Sequence, residues 1–334
     1  MKVTYFRESS AVYVEANEEI IERLNEYLFP FFEHIENSVT EENIWKIVCK
    51  KSESEYSHME LDRTVINQGD QDTEIIVHFS GEKKFIGLIY EYSIAWQVQN
   101  VLRFIRVIMR LQSKENGHIF LHGGLVEYKS EGICFIGKKK SGKTSSILSL
   151  MKYSDANFIS NDDVSLNFSN TEWTGFGWPR SINVRKDTLE KLEIKCPQGL
   201  LHPSNSKDML TNSCFYPKEI VKIFGGTLRS ENSIRYMIFP QFAYDKINIL
   251  EEIPEESAKK LISENIEGIP GKFIEYLVPF FKNEVSFENG AQQIISKGNL
   301  KFLSLTQSFD SLEESARKVV RFIEQDRRTD KIKN

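Results

Sequence analysis

The chain has 334 residues, 27% of them charged, and a formal net charge of −5. That length exceeds what one hydrophobic core usually supports, so two domains, or one with an appendage, are expected, and the near-balanced charge gives no electrostatic case for a nucleic-acid partner. The four cysteines, Cys49, Cys134, Cys196 and Cys214, form no Cys-x-x-Cys pair and have no histidine at metal spacing, which indicates neither a zinc site nor a disulfide framework and fits a reducing compartment.

Met1 to Glu8 contain no apolar signal-like core, and no uncharged run approaches the ~18 residues needed to cross a bilayer. A cytoplasmic protein without a membrane partner is the expectation. Residues 1–90 read as a small α+β module. Asn17 caps a helix opened by Glu18 and Glu19, with Ile20, Ile21, Leu24, Tyr27 and Leu28 on one face until Pro30. Ile44 to Cys49, Glu74 to Phe79 and Phe85 to Tyr90 read as strands, the last two forming a hairpin about Ser80-Gly81-Glu82. The polar stretches Lys51 to Asp62 and Gln68 to Asp72 read as loops.

Residues 91–116 read as a connecting helix. Ile94, Val98, Leu102, Ile105, Ile108, Met109 and Leu111 keep a helical period, and Arg103, Arg106 and Arg110 read as its solvated face. Residues 117–334 then form a nucleotide-binding domain. It opens with His118 to Tyr128, one strand interrupted by Gly123-Gly124, which turns at Glu131-Gly132 into the apolar run Ile133 to Ile136.

Next comes Gly137-Lys138-Lys139-Lys140-Ser141-Gly142-Lys143-Thr144, which fits the phosphate-binding pattern G-x-x-x-x-G-K-[ST]. Glycines at both ends let successive backbone N–H groups converge on one anion. Lys143 supplies a point charge for the β- and γ-phosphates, and the Thr144 hydroxyl suits Mg²⁺. Ser145 opens a helix, with Ile147, Leu148 and Met151 on its apolar face, whose N-terminus aims free N–H groups at phosphate. Lys138, Lys139, Lys140 and Ser141 complete the cradle.

Asn157 to Leu166 reads as one apolar strand carrying Asp162 and Asp163, and adjacency in the sheet would set these acids beside the phosphates. Glu172 to Arg180 is rich in aromatics and glycine, Ile182 to Val184 extends, and Asp187 to Leu192 reads as a helix. Beyond Cys196 the composition turns loop-like, with Pro197, Pro203 and Pro217, before the strand Ile234 to Phe239. A strand, Phe302 to Leu305, and a helix with the capping-box pattern Ser311-x-x-Glu314 close the chain. Glu26 to Phe32 recurs loosely as Glu275 to Phe281, read as two apolar helix ends of similar design. Arg180 and Arg235 carry charge suited to a phosphoryl transition state, but nothing in the sequence aims them.

No Asn-Lys-x-Asp guanine reader and no suitably placed Asp-x-x-Gly switch follows the loop, which argues against a Ras-like GTPase and for a kinase. His122-Gly123, the turn into Gly137, the loop through Thr144, Asn161-Asp162-Asp163-Val164 and Glu172-x-x-Gly175-x-Gly177 together resemble the catalytic domain of HPr kinase/phosphorylase and its relatives. These include HPr-kinase-like enzymes that phosphorylate serine in ribosomally made peptide precursors, and PEP carboxykinase is a distant cousin in fold. The resemblance covers about residues 117 to 190.

The resemblance implies an α/β, HPr-kinase-like catalytic domain that uses ATP and Mg²⁺. Aligned on Val164, it places Asn161 at the family's first acid and Asp162 at its general base. Aligned on the two acids, it makes Asp163 the base. It implies that Glu172 joins Thr144 as a metal ligand, and that His122 lies beside the phosphates. Three consecutive lysines in the loop, Thr174 where the family has arginine, the missing C-terminal Arg-Pro-Gly-Arg stretch and the unmatched residues 1 to 110 point away from HPr itself as substrate. The expected activity is Mg²⁺-dependent transfer of the γ-phosphoryl of ATP to a serine or threonine of a peptide or small protein. A nucleotide-gated binding module without transfer, and a kinase of a free small molecule such as an amino acid, stay open alternatives, as does a homo-oligomer.

Overall fold

The computed structural model describes residues 1–37, 43–67, 74–89, 93–196, 211–243, 248–268, 275–281 and 287–333. The chain divides into two compact units, one comprising Met1–His118 together with residues 275–281, the other the remaining described residues from Ile119 on. Both mix helices and strands. No helix among the described residues is long and apolar enough to cross a membrane.

The first unit holds β1 (Lys2–Arg7), β2 (Ser10–Glu15), α1 (Glu18–Leu28), β3 (Glu33–Glu36), β4 (Trp45–Lys50), β5 (Asp62–Asn67), β6 (Glu74–Ser80), β7 (Phe85–Ile89) and α2 (Ile94–Glu115). Its seven strands form one sheet in the order β3-β1-β2-β4-β7-β6-β5. Helix α1 starts as the sequence indicates, with the Asn17 side chain accepting from the Ile20 N–H at 2.9 Å. A short 3₁₀ turn at Glu53–Tyr56 interrupts the expected loop Lys51 to Asp62, and strand β5 follows in a stretch to which the sequence assigns no element. The stretch Gln68 to Asp72 and Tyr90 lie outside the described residues.

Helix α2 is not a solvated connector. It packs on α1, β2 and β4, and Gln97, Asn100, Arg110 and Ser113 are buried along with its apolar residues. Arg103 is half-buried, and burial pulls its pKa below the ordinary value. The expected arginine face is therefore covered. The second copy of the loose repeat belongs to this unit too: the Phe281 ring stacks on Trp45 at 5.3 Å, and Tyr276 meets Phe79 edge-on at 4.8 Å.

The second unit holds β8 (Ile119–Leu121), β9 (Gly123–Tyr128), β10 (Glu131–Ile136), α3 (Lys143–Tyr153), β11 (Asn157–Ser160), β12 (Val164–Ser169), β13 (Glu172–Gly177), β14 (Ile182–Arg185) and α4 (Lys186–Lys191). It continues with β15 (Asn212–Phe215), α5 (Pro217–Phe224), β16 (Glu231–Ala243), β17 (Ile249–Glu252), α6 (Glu255–Ser263), α7 (Phe287–Ser296), β18 (Lys301–Ser308) and α8 (Leu312–Lys333). The main sheet runs β11-β9-β10-β16-β13-β12-β8, with β18 on β16 and β17 on β18. At its centre β10, β16 and β18 are parallel. Alternation along β10 sends Ile133 and Phe135 into one apolar core and Cys134 and Ile136 into another, so helices cover both faces.

Two expected strands are in fact four. His118 to Tyr128 divides at His122 because β8 pairs with β12 while β9 pairs with β10 and β11. Asn157 to Leu166 divides at Asn161–Asp163, where Asp162 takes a left-handed φ of 69° and turns the chain from β11 into β12. Pro217 marks a helix start: it occupies the first turn of α5, with Glu219 Oε2 accepting from the Tyr216 N–H at 2.7 Å. Ser311 and Glu314 precede and open α8, and both accept from Asn248 Nδ2, at 2.8 and 3.1 Å.

Candidate active site

Strand β10 delivers Gly137 to the sheet edge, and the loop then climbs to Gly142, whose φ of 107° only glycine holds without strain. Helix α3 begins at the next residue. The N–H groups of its first turn have no helical carbonyl to meet, and with the positive end of the helix dipole they form an anion seat. A Cβ on Gly137 would fall 2.6 Å from Ser141 Oγ, so a larger residue there would displace the Ser141 hydroxyl.

Lys143 folds back over the loop, donating to Gly137 O at 2.6 Å and Lys138 O at 3.1 Å. Burial lowers its pKa, while the charges of Asp162 and Glu267 work the other way. Thr144 Oγ1 donates to Asn161 Oδ1 at 3.0 Å, tying α3 to the turn that follows β11. Strands β10 and β11 are each antiparallel to β9 between them, so their C-terminal ends share an edge. The acids reach the loop across the start of β9, not from an adjacent strand. Gly123 and Gly124 make room: a Cβ on Gly124 would lie 2.8 Å from Ser160 O and 3.2 Å from Asn161 Cα.

A cleft of about 750 Å³ opens over this loop, lined on the near side by Lys139, Lys140, Gly142, Lys143, Thr144 and Ser145. His122, Asp162 and Arg180 line one end, and Phe242 and Phe309 also face in. Of the residues expected from sequence, Lys138 turns aside to Glu264 at 2.9 Å. Asp162 is half-exposed in the cleft, whereas Asp163 is buried and held by Arg180 Nη1 at 3.1 Å. His122 is held by its N–H on Asn265 O at 2.8 Å, with Nδ1 3.5 Å from Glu267 Oε1.

Glu172 does not join them. It lies beside the tight turn at Asn170–Thr171, with Oε2 accepting from Ser233 Oγ at 2.7 Å. The register runs from Val164↔Gly177 near the acid turn to Ser169↔Glu172 at the far end, a strand length of roughly 16 Å. The metal role expected of it has no geometric support. No group of three or more His, Cys, Asp or Glu among the described residues could hold a metal.

Several residues in or behind the cleft carry no local signal in the sequence. Glu267 arrives on a segment that adds to the edge of β8, through the Leu121↔Ile266 bridge and the Glu267 N–H on Phe120 O at 2.8 Å. Arg180 follows β13, where burial opposes its charge and the carboxylates of Asp163, Asp162 and Glu267 outweigh that, holding its pKa above the ordinary value. Gln307, fully buried at the end of β18, donates to Ser146 Oγ at 2.9 Å and braces α3.

The cradle fits a polyphosphate. Ser141 Oγ and Asn161 Nδ2 are buried without a hydrogen-bond partner, beside a lysine and a helix N-terminus. A Mg²⁺ carried on such phosphates needs few protein ligands, and the Thr144 hydroxyl is placed to be one.

Fold and site together define an α/β protein built about a loop of the phosphate-binding pattern. No family model and no curated protein matches the chain. Among solved structures it is similar to the Hpr(Ser) kinase/phosphatase from Coxiella burnetii, at 10% identity and a TM-score of 0.31, over 63% of this chain and 98% of that one.

Proposed function

We propose that this chain is a Mg²⁺-dependent kinase that transfers the γ-phosphoryl of ATP to a serine or threonine hydroxyl of a peptide or small protein. One observation carries the reading: the half-exposed Asp162 carboxylate shares a cleft with Lys143 and Thr144, while its neighbour Asp163 is buried on Arg180. Phosphoryl transfer asks for in-line positioning, neutral γ-oxygens and an acceptor for the hydroxyl proton. Asp162 takes that proton as the acceptor oxygen bonds to phosphorus and the bond to the β-phosphate oxygen breaks, releasing ADP. Asp163 holds Arg180 in place, and Arg180 and Lys143 offset charge on the transferring group. The Thr144 hydroxyl would help hold Mg²⁺, which would supply further charge neutralisation.

Label transfer from γ-labelled ATP tests this, using purified protein with a size-fractionated extract of its own cell. Label in a peptide or protein fraction is expected with wild type. Asp162→Asn should bind nucleotide yet transfer about 10²-fold more slowly, and Lys143→Ala should lose both. Full activity in Asp162→Asn, with loss in Asp163→Asn, would transfer the base role to Asp163. Asn161, an amide where the family has an acid, favours a second reading, a nucleotide-gated module. That reading is chosen if nucleotide binds and nothing is labelled, and label confined to small molecules selects a metabolite kinase.

A further inference from the structure

The cleft extends past the phosphate loop on the side away from Asp162, and two aromatic rings stand there. Strands β10, β16 and β18 are parallel, so their C-terminal ends reach one edge of the sheet. In the order β11-β9-β10-β16, with β18 on β16, the acid turn lies to one side of the loop. Phe242, near the end of β16, and Phe309, just beyond β18, lie to the other.

Phe242 is 38% exposed, one of few large apolar side chains so placed. It also packs on the loop itself, since a Cβ on Gly142 would come within 3.1 Å of its ring. Phe309 meets it edge-to-face, with centroids 5.7 Å apart and planes at 76°. That contact steadies one ring against the other, and both rings line the cleft. A solvent-exposed aromatic held against a phosphate loop costs hydrophobic free energy unless something apolar covers it.

In-line transfer places the attacking hydroxyl and the leaving nucleotide on opposite sides of the phosphorus. If Asp162 marks the side of attack, the nucleoside must lie on the far side of the loop, where these rings are. Resting on the kinase reading above, we propose that Phe242 and Phe309 form the seat for the base of the donor nucleoside triphosphate. The purine lies flat on Phe242, and the glycine at 142 is what lets that ring come down onto the loop. Thr188, buried in the same cleft wall, and Asn212 offer polar groups to the edge of the nucleoside.

Calorimetric titration of the whole protein with Mg-ATP and with Mg-tripolyphosphate tests the assignment, because the second ligand has the phosphates without the base. Phe242→Ala and Phe309→Ala should each weaken ATP by about tenfold, equivalent to about 1.4 kcal/mol for one lost stack, and leave tripolyphosphate within about twofold. Phe242→Tyr should keep ATP affinity. Equal loss for both ligands would overturn the proposal, since the ring would then only support the loop, and so would unchanged ATP affinity. Failure of wild type to bind either ligand, with no further change in Lys143→Ala, would instead remove the nucleotide reading beneath it.

Discussion

Gly124→Ala probes how the acid turn is brought to the loop. A Cβ there would meet Ile147 Cδ1 at 2.3 Å, Ser160 O at 2.8 Å and Asn161 Cα at 3.2 Å, whereas ordinary contact begins at 3.4 Å. The Ile147 methyl can rotate aside, but the Ser160 carbonyl belongs to the backbone of β11 and must move by about half an ångström. That movement stretches the 3.0 Å bond between Thr144 and Asn161 toward the limit of a useful hydrogen bond. Overpacking of this kind costs about 1–3 kcal/mol, and displacing a catalytic group by such a distance costs roughly tenfold in rate. Gly132→Ala is the control: it strikes Ser233 O at 2.5 Å, at the end of β10 remote from the loop. Urea melts should show both variants destabilised, while label transfer per folded molecule should fall only in Gly124→Ala. Equal transfer losses in the two, or none in either, would refute the view that this glycine sets the distance between turn and loop.

Asp326 on α8 accepts from Tyr236 OH at 2.9 Å and Arg235 Nη2 at 3.0 Å, and pairs with Lys301. Burial pushes its carboxyl up, but Lys301, Tyr236 and Arg235 together hold it below the usual carboxylate range. A depressed carboxyl stabilises the fold above its unfolded pKa and loses that contribution as pH falls through the folded value. Asp326→Asn should therefore cost about 2–3 kcal/mol at neutral pH, with a gap from wild type that narrows in acid. A gap constant with pH would contradict this. Glu172→Gln should leave the Mg²⁺ dependence of transfer unchanged, because its partner is Ser233; a raised Mg²⁺ requirement would restore it to the site. Burial pushes the Cys49 and Cys134 thiols up to about 12, so at pH 8 neither carries reactive thiolate. Thiol reagents should label half-buried Cys196 first and reach those two only as the protein unfolds.

The phosphate loop was legible because strand, loop and helix are contiguous, and each part announces itself locally. The same holds for α1, whose Asn17 cap and apolar face lie within one stretch. What stayed hidden is settled by partners distant in sequence. His122 and Asp162 sit where a run of apolar residues changes neighbours, and nothing in either run records that β8 and β9, or β11 and β12, answer to different strands. Glu172 shows the converse: its motif spacing is real, yet it opens its strand at the end far from the cleft. Glu267 and Arg180 are positioned by a sheet edge and by Asp163, relations with no sequence period. Helix α2 misled because long arginine stems can be covered while their pattern still reads as an outer face.

The fold-back of Lys143 onto Gly137 O and Lys138 O makes the resting loop its own competitor. An incoming anion does not meet a bare ammonium; it must trade against two carbonyl bonds already formed, and the net return on such an exchange is small. A singly charged anion offers about as much as it displaces. A chain of phosphates, reaching Lys143 while also occupying the helix N-terminus and the unpaired Ser141 hydroxyl, offers several times more. On the kinase reading proposed above, the loop would favour a ligand that brings several charges over one that brings a single charge.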